Sequence, residues 1–566
     1  MLFFSTLGLI VYSLRLVHAD CFEPSPAFPL PLWQNGMQQL EAAFQRIDQR
    51  LEKLAEDQQY DTSSFSVGVT SNTDTLWTHF HSARVHNATR PGVTHIDGDS
   101  QYRIASISKT FTVLGILHQH AAGNLSLDEP VSLYIDELKH AHSGDMPWND
   151  ITIRVLASQL SGIPRDVIQA DLINGETDPT ELGLPPVSKE GLPRCYEYGG
   201  LKPCNRTDLL HALKTHHPIF APNAISTYSN TAFELLGLVL ENVIGLDYDV
   251  YMQHAIFGPL NMTLTSLSTP PDDHAVLPVD QTYWDVDQGV HKPTGGIYSS
   301  LDDMSKYLRY VMTHYNALAT GVNWLLPASW STGMESFYGM PWEIFRTDRI
   351  LEKSKRPVTF VTKAGGVPSY FSRISIMPEY GLGLTVLIAG SNTLLKEIQE
   401  IVTVELVREA EAVIWKDVQK TYSGNYVSTN TSLNSSIELA ARPSTGLVLQ
   451  SFISNGTDVF QTLLQQYAEA LDVKRWHAQL VPTLLYKNEA EQKGEIWRLL
   501  VVAERTGEGA VWDEFCNTDV DPISYAGLPV NEFVFWHEEQ RLELPAWRVS
   551  MKRSTADTAE RLVVQV

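Results

Sequence analysis

Ser106-Ile107-Ser108-Lys109 sets a hydroxyl and an amine three residues apart at the start of an apolar stretch, Ile104 to Leu117, which reads as a buried helix. On a helix, i and i+3 side chains share a face, so Lys109 stacks over Ser106. Burial disfavours an ammonium, and a neutral amine can take the serine proton. The helix N-terminus favours the negative charge that then develops. This is the chemistry of a serine nucleophile with a lysine base. About one S-x-x-K match is expected by chance, and the competing reading is a helix start capped by Ser106.

Two further motifs supply what such a pair needs. Tyr228-Ser229-Asn230, just before another helix, offers a phenol that relays a proton and an amide that positions a carbonyl. The phenol needs a nearby cation such as Lys109 to favour phenolate, and the two would titrate as a coupled pair. Lys363-Ala364-Gly365-Gly366 is expected to close the strand Val358–Thr362, where Gly365 and Gly366 admit a substrate closely. The Gly366 and Ser106 amides are candidate halves of an oxyanion hole. Tyr486-Lys487-Asn488 and Lys189-Glu190-Gly191 repeat the second and third patterns. Only one set runs S-x-x-K, Y-x-N, K-x-G in that order with helix, loop and strand contexts, and the conjunction carries the argument.

The elements that must hold these residues follow from periodicity. Met37, Leu40, Phe44, Ile47, Leu51 and Leu54 recur at three- and four-residue steps and mark an amphipathic helix. Phe65–Val69 and Thr75–Trp77 flank a turn and read as a hairpin; Phe371–Met377 and Gly383–Ile388 are two more strands. Helices are expected around Thr231–Ile244, Asp302–Tyr315 and Leu394–Gln419, while residues 166–205, rich in Gly, Pro and charge, form an insertion loop. After Lys420 short strands and turns take over: Ser423–Tyr426, Leu447–Leu449, Trp497–Val502 and Phe533–Trp536. The expected organisation is a segment 1–19, a helical segment 20–60, an α+β domain 61–420 and a β-rich domain 421–566.

Composition narrows the setting. With 566 residues, 43% hydrophobic and 19% charged, the chain has the make-up of a packed globular protein. A net charge of -24 argues against a nucleic-acid partner, since phosphates are repelled over most of such a surface. Residues 1–19 read as a signal peptide: Leu2–Leu14 is apolar and Val17-His18-Ala19 precedes a cut before Asp20. An uncleaved anchor is the alternative, because no Lys or Arg precedes the apolar run. No later run reaches the roughly 18 apolar residues of a membrane span. Seven Asn-x-Ser/Thr sequons, at Asn87, Asn124, Asn205, Asn261, Asn430, Asn434 and Asn455, favour secretion and glycosylation. Cys195 and Cys204, close in a Gly/Pro-rich loop, are the expected disulfide; Cys21 and Cys516 join the termini or stay free. No His/Cys grouping has zinc spacing, so neither metal nor cofactor is expected.

In these motifs the sequence resembles the serine β-lactamase and penicillin-binding-protein superfamily, most closely its class C and esterase branch. Leu125–Val131, Leu156–Pro164, Gly258–Thr263 and Thr294–Ser300 add to the likeness, which spans roughly Phe65 to Ser391. The resemblance implies an antiparallel sheet flanked by helices with an inserted helical lobe. It implies that Ser106 is acylated, that Lys109 and Tyr228 share acid and base work, that Asn230 orients the acyl carbonyl, and that Lys363 brings positive charge near the tyrosine. The region after Thr421 resembles the lipocalin-like, barrel-like all-β domain of fungal secreted relatives.

One departure bears on substrate. Ala364 stands where such enzymes carry a hydroxyl that binds a β-lactam or D-alanine carboxylate. A small neutral ester or amide, of a lipid or secondary metabolite, fits better. Tyr338, Trp342, Tyr370 and Phe371 line its pocket or else belong to the core. The expectation is a secreted serine hydrolase or acyltransferase; the alternative is a related binding protein without turnover.

Overall fold

The computed structural model describes residues 28–554 except 34, 140–145, 176, 197–200, 215, 280–282, 316–322, 353, 355, 471–474 and 504–522. The segment read as a signal peptide, Cys21 and Cys516 lie outside these residues. Among the described residues, Trp33–Thr347 with Val358–Leu406 makes one compact unit, and Phe28–Leu32, Asp348–Pro357 and the residues from Val407 to Ser554 belong to a second.

The first unit is α+β. Its strands are β1 Ser64–Thr70, β2 Thr75–His81, β3 Gln101–Arg103, β4 Tyr298–Ser300, β5 Ser329–Trp330, β6 Ser336–Tyr338, β7 Glu343–Thr347, β8 Val358–Val367, β9 Tyr370–Met377 and β10 Leu382–Ala389. Eight of them form one sheet in the order β2-β1-β10-β9-β8-β7-β6-β5, while β3 pairs with β4 alone. Every residue of β1 and β10 is buried, as a central strand covered on both faces requires. On one face lies the Glu41–Ala55 helix, which buries Ala43, Phe44, Ile47, Leu51 and Ala55 at three- and four-residue steps and stacks Phe44 on Trp77. Arg46 and Arg50 of this helix both pair with Glu405, at 2.9 and 2.8 Å. On the other face Leu301, opening the Leu301–Tyr315 helix, packs where Gly68 of β1 has no side chain.

Behind that helix sits the Ser108–Ala121 helix, joined to it by the stacked rings of Phe111 and Tyr307, 4.0 Å apart. Residues Ser108 to Leu117 are all buried, which explains an apolar run with no polar face. The Thr231–Ile244 helix approaches closely because Gly237 leaves room for Pro293; a Cβ there would stand 2.3 Å from the proline ring. The insertion between these helices is mostly irregular. It carries the Cys195–Cys204 disulfide and a short helix, Arg206–Leu213, closed by a capping box between Asn205 and Asp208.

The second unit holds a closed barrel of eight antiparallel strands. Around it run Ser436–Arg442, Gly424–Ser428, Val549–Arg553, Arg541–Leu544, Glu532–Trp536, Lys493–Ala503, Trp476–Asn488 and Gly446–Ser454, and the last pairs back onto the first. Alternate residues such as Ile437 and Leu439, Leu542 and Leu544, and Val549 and Met551 are buried, the period-2 pattern of a filled barrel.

Two local expectations are revised. The buried helix starts at Ser108, because Ala105–Ile107 is a 3₁₀ turn with Ala105 at φ +46°. The Lys-Ala-Gly-Gly stretch lies inside β8, with Gly365 and Gly366 still paired to Ser372 and Phe371 of β9.

Candidate active site

Ser106 sits in a turn over-determined from several sides. The Ile104 N–H donates to Ile297, the Ile104 carbonyl accepts from Ser372 Oγ at 2.8 Å, and Ser108 Oγ accepts from the Ile297 N–H at 3.1 Å. These bonds hold Ala105 in a left-handed conformation that an alanine adopts at a cost of about 1 kcal/mol. Beneath the turn runs β8: a Cβ on Gly365 would stand 2.3 Å from the Ile104 carbonyl and 3.0 Å from the Ser106 nitrogen. Only a glycine lets the strand come this close.

Lys109 Nζ lies 3.1 Å from Ser106 Oγ and donates to the Thr294 carbonyl at 2.9 Å. Lys109 is fully buried, and that burial holds its amine below the usual lysine range, with the Lys363 charge pushing the same way. Tyr228 lies between the two lysines, whose Nζ atoms are each 5.1 Å from its ring centre. Burial works against its phenolate, but Lys109 and Lys363 outweigh burial and bring the phenol down to about 8. The Arg165 guanidinium stacks 4.7 Å over the same ring. Two lysine side chains around a half-buried phenol, one of them touching a serine hydroxyl, place proton-accepting groups at a nucleophile.

The Tyr-Ser-Asn turn is held from the Leu156–Pro164 stretch. Gln159 Oε1 accepts from the Ser229 N–H at 2.7 Å, and the Pro164 carbonyl accepts from Ser229 Oγ at 3.0 Å. Asn230 donates through Nδ2 to Asp166 Oδ1 at 2.8 Å, which leaves its second amide hydrogen and its oxygen for other partners.

On β8, Lys363 is buried and donates to Glu343 Oε1 at 2.6 Å; the Ala364 N–H donates to Glu343 Oε2 at 3.1 Å. Burial disfavours both charges, yet each holds the other ionised: Lys363 is raised and Glu343 lowered from their ordinary values. β7 pairs with β8 only up to Thr362, so Lys363–Val367 presents one edge without a strand. The Gly366 N–H points the same way as that of Ala364, two residues before it, along this edge.

The structure thus gathers Ser106, Lys109, Tyr228, Lys363 and Gly365 at one site, with Asn230 on the turn that carries Tyr228 and Gly366 next to Gly365 on β8. Lys189–Gly191 lies elsewhere, in an exposed loop, and Tyr486–Asn488 on a strand of the barrel. Of the four aromatics, Trp342 and Tyr370 are core residues, while Tyr338 and Phe371 are partly exposed. Sequence reasoning missed Glu343, Asp166 and Arg165. The last two follow Ser161-Gly162-Ile163-Pro164 directly, and that adjacency was the available signal. Nothing local marks Glu343. Of the sequons, Asn87 is half-buried and the other six are exposed.

The model of the Beta-lactamase family matches residues 40–403, and that of the Beta-lactamase-like-like, C-terminal domain matches 414–555. The chain is 32% identical over 529 residues to a "Probable hydrolase M10" of Phoma sp., covering 90% of this chain and 87% of the relative. It is 31% identical over 554 residues to a "Probable hydrolase clz13" of Cochliobolus lunatus, covering 92% and 88%. Among solved structures, a "Beta-lactamase/D-alanine Carboxypeptidase" from Yersinia pestis, complexed with citrate, aligns with 65% of this chain and 99% of its own at 19% identity and a TM-score of 0.49.

Proposed function

The chain belongs to the Beta-lactamase family, and on that premise we propose that it is an exported serine hydrolase or acyltransferase whose Ser106 takes the acyl group of a neutral ester or amide. The observation that carries the reading is Lys109 Nζ, buried and 3.1 Å from Ser106 Oγ, with Tyr228 lodged between it and Lys363. Ser106 Oγ adds to the carbonyl carbon as its proton passes to the Lys109–Tyr228 pair. The N–H groups of Ser106 and Gly366 hold the oxyanion, the kind of preorganised donor whose loss typically costs about 100- to 1,000-fold in rate. The pair returns the proton to the leaving alcohol or amine as its bond to carbon breaks. Water, or an alcohol acceptor, then attacks the acyl carbon and releases Ser106 with its proton.

Charge supports the neutral substrate. A substrate carboxylate finds no hydroxyl at Ala364, and the ammonium of Lys363 is already matched by Glu343. Export, with removal of residues 1–19 and glycosylation at the seven sequons, is part of the proposal. The exposure of Asn124, Asn205, Asn261, Asn430, Asn434 and Asn455 supports it, as does the Cys195–Cys204 disulfide. The test is steady-state turnover of p-nitrophenyl acetate and of a chromogenic cephalosporin by wild-type and Ser106→Ala protein. Ester turnover that vanishes in the variant, with cephalosporin turnover at least 100-fold slower, is expected. Ester turnover that survives Ser106→Ala overturns the nucleophile, and comparable cephalosporin turnover overturns the substrate class.

A further inference from the structure

Lys363 and Gly365 share a face of β8 with Val361, and the sheet register carries that face outward. Val361 stands opposite Ile344, Ile344 opposite Phe337, and Phe337 opposite Trp330. Directly opposed residues on antiparallel strands point to the same side, so this file of side chains lies on the face that bears the candidate site. Along it exposure rises from Val361 and Ile344, both buried, through half-buried Phe337 to Trp330 at 82%. The rings of Phe337 and Trp330 are 6.4 Å apart.

A second wall meets this file. The Trp330 carbonyl accepts a hydrogen bond from Ser226 Oγ at 2.7 Å, and Ser226 is two residues before Tyr228. The loop leading to it is strapped to the turn that supports the site: the Ile219 N–H donates to Gly162 and the Asn223 N–H to Leu160. It shows Ile219 and Ile225 at 53% and 54% exposure. Scattered exposed apolar residues are ordinary, but Phe337 and Trp330 with neighbouring rings, and Trp330 bonded to the loop that carries Ile225 and leads to Tyr228, mark a binding surface beside the candidate site.

We propose that this band, Phe337 and Trp330 on the sheet with Ile219 and Ile225 on the loop, binds an extended hydrocarbon chain of the substrate. The proposal rests on the reading of the site given above and names the substrate class more closely. The sheet fixes the chain's length. Trp330 is in register with Val361, three strands and about 14 Å across the sheet, while Gly365, beside Ser106, lies four residues and about 13 Å further along β8, so the straight path is about 20 Å. An extended carbon chain advances about 1.3 Å per atom. A chain of about eight carbons stops half-way, and one of about twelve comes within about 4 Å, a ring's half-breadth, of Trp330.

The test is kcat/KM of the full-length protein for p-nitrophenyl acetate, butyrate, octanoate and dodecanoate, each below its micellar concentration. A methylene half-covered by the band contributes about twofold, half the effect of full burial in logarithmic terms. The expected profile therefore gains at least tenfold between octanoate and dodecanoate. Trp330→Ser removes that gain, whereas Met334→Ser, 96% exposed on the β5–β6 turn, retains it. A flat profile, or a gain that survives Trp330→Ser, overturns the inference even if acetate turnover depends on Ser106. Loss of that dependence is the separate failure of the site. Because the band exists with or without turnover, calorimetric titration with the neutral dodecanamide reads it independently: wild-type and Ser106→Ala proteins bind alike and Trp330→Ser at least tenfold more weakly. Absence of binding overturns the proposal, as does a Trp330 effect confined to association with phosphatidylcholine vesicles.

Discussion

Replacing Lys363 with methionine removes one of the two ammonium groups flanking Tyr228, and the direction of its effect on pH dependence is unambiguous. Burial alone would raise the phenol; Lys109 and Lys363 bring it to about 8. Lys363 also helps to keep the Lys109 amine low. Without it, both groups bind their protons more tightly, and Glu343, left without its ion pair, pushes Tyr228 the same way. The form able to accept the Ser106 proton becomes scarcer at neutral pH. With the phenolate charge placed at the ring centre, 5.1 Å from Lys363 Nζ, the two unit charges interact by about 3 kcal/mol at an effective dielectric of about 20, and by about half that where water enters the site. The rising limb of kcat/KM should therefore move upward by about one to two pH units. Turnover of p-nitrophenyl acetate at pH 7 should fall about 10- to 100-fold and recover above the new limb. Lys363→Met with Glu343→Gln leaves no orphaned carboxylate and shifts the limb in the same sense. A limb that stays near pH 8 while KM alone rises would refute the electrostatic role of Lys363 and leave it a substrate contact.

Gly365→Ala drives a methyl group against the Ile104 carbonyl and the Ser106 nitrogen, at 2.3 and 3.0 Å before relaxation. Ester turnover should fall at least about 100-fold, with a stability loss of about 1–3 kcal/mol in urea denaturation. Removing the Cys195–Cys204 link, which closes a loop with a sequence separation of 9, should cost about 2–3 kcal/mol by chain entropy, read as a lower Tm for Cys195→Ala/Cys204→Ala. Protein secreted from a fungal host should lose mass on treatment with an endoglycosidase, and peptide mapping should place glycans at exposed sequons such as Asn205 and Asn455.

What could be read in advance depended on how local each signal was. Ser106 and Lys109 were visible because a three-residue spacing stacks side chains even though the chain there is a 3₁₀ turn running into a helix. The left-handed Ala105 was not, since alanine carries no mark of it and the bonds that impose it come from Ile297 and Ser372. Tyr228 and Lys363 were distinguished from their duplicates only by order and context. Glu343 had no local pattern, because its role comes from a strand register that sets it against Thr362, one residue before Lys363. The barrel was legible in Glu532–Trp536 and Lys493–Ala503, where apolar residues crowd. It was not legible in Trp476–Asn488, where Pro482 and an irregular register up to Leu485 break the alternation.

The central claim is that Ser106 forms a covalent acyl intermediate. Intact mass of wild-type and Ser106→Ala protein, quenched within seconds of mixing with p-nitrophenyl acetate, tests it most directly. The account predicts one added acetyl group on the wild type, mapped to the peptide holding Ser106, and none on the variant. An equal adduct on both proteins, or turnover by the wild type with no adduct on that peptide under single-turnover conditions, would contradict it.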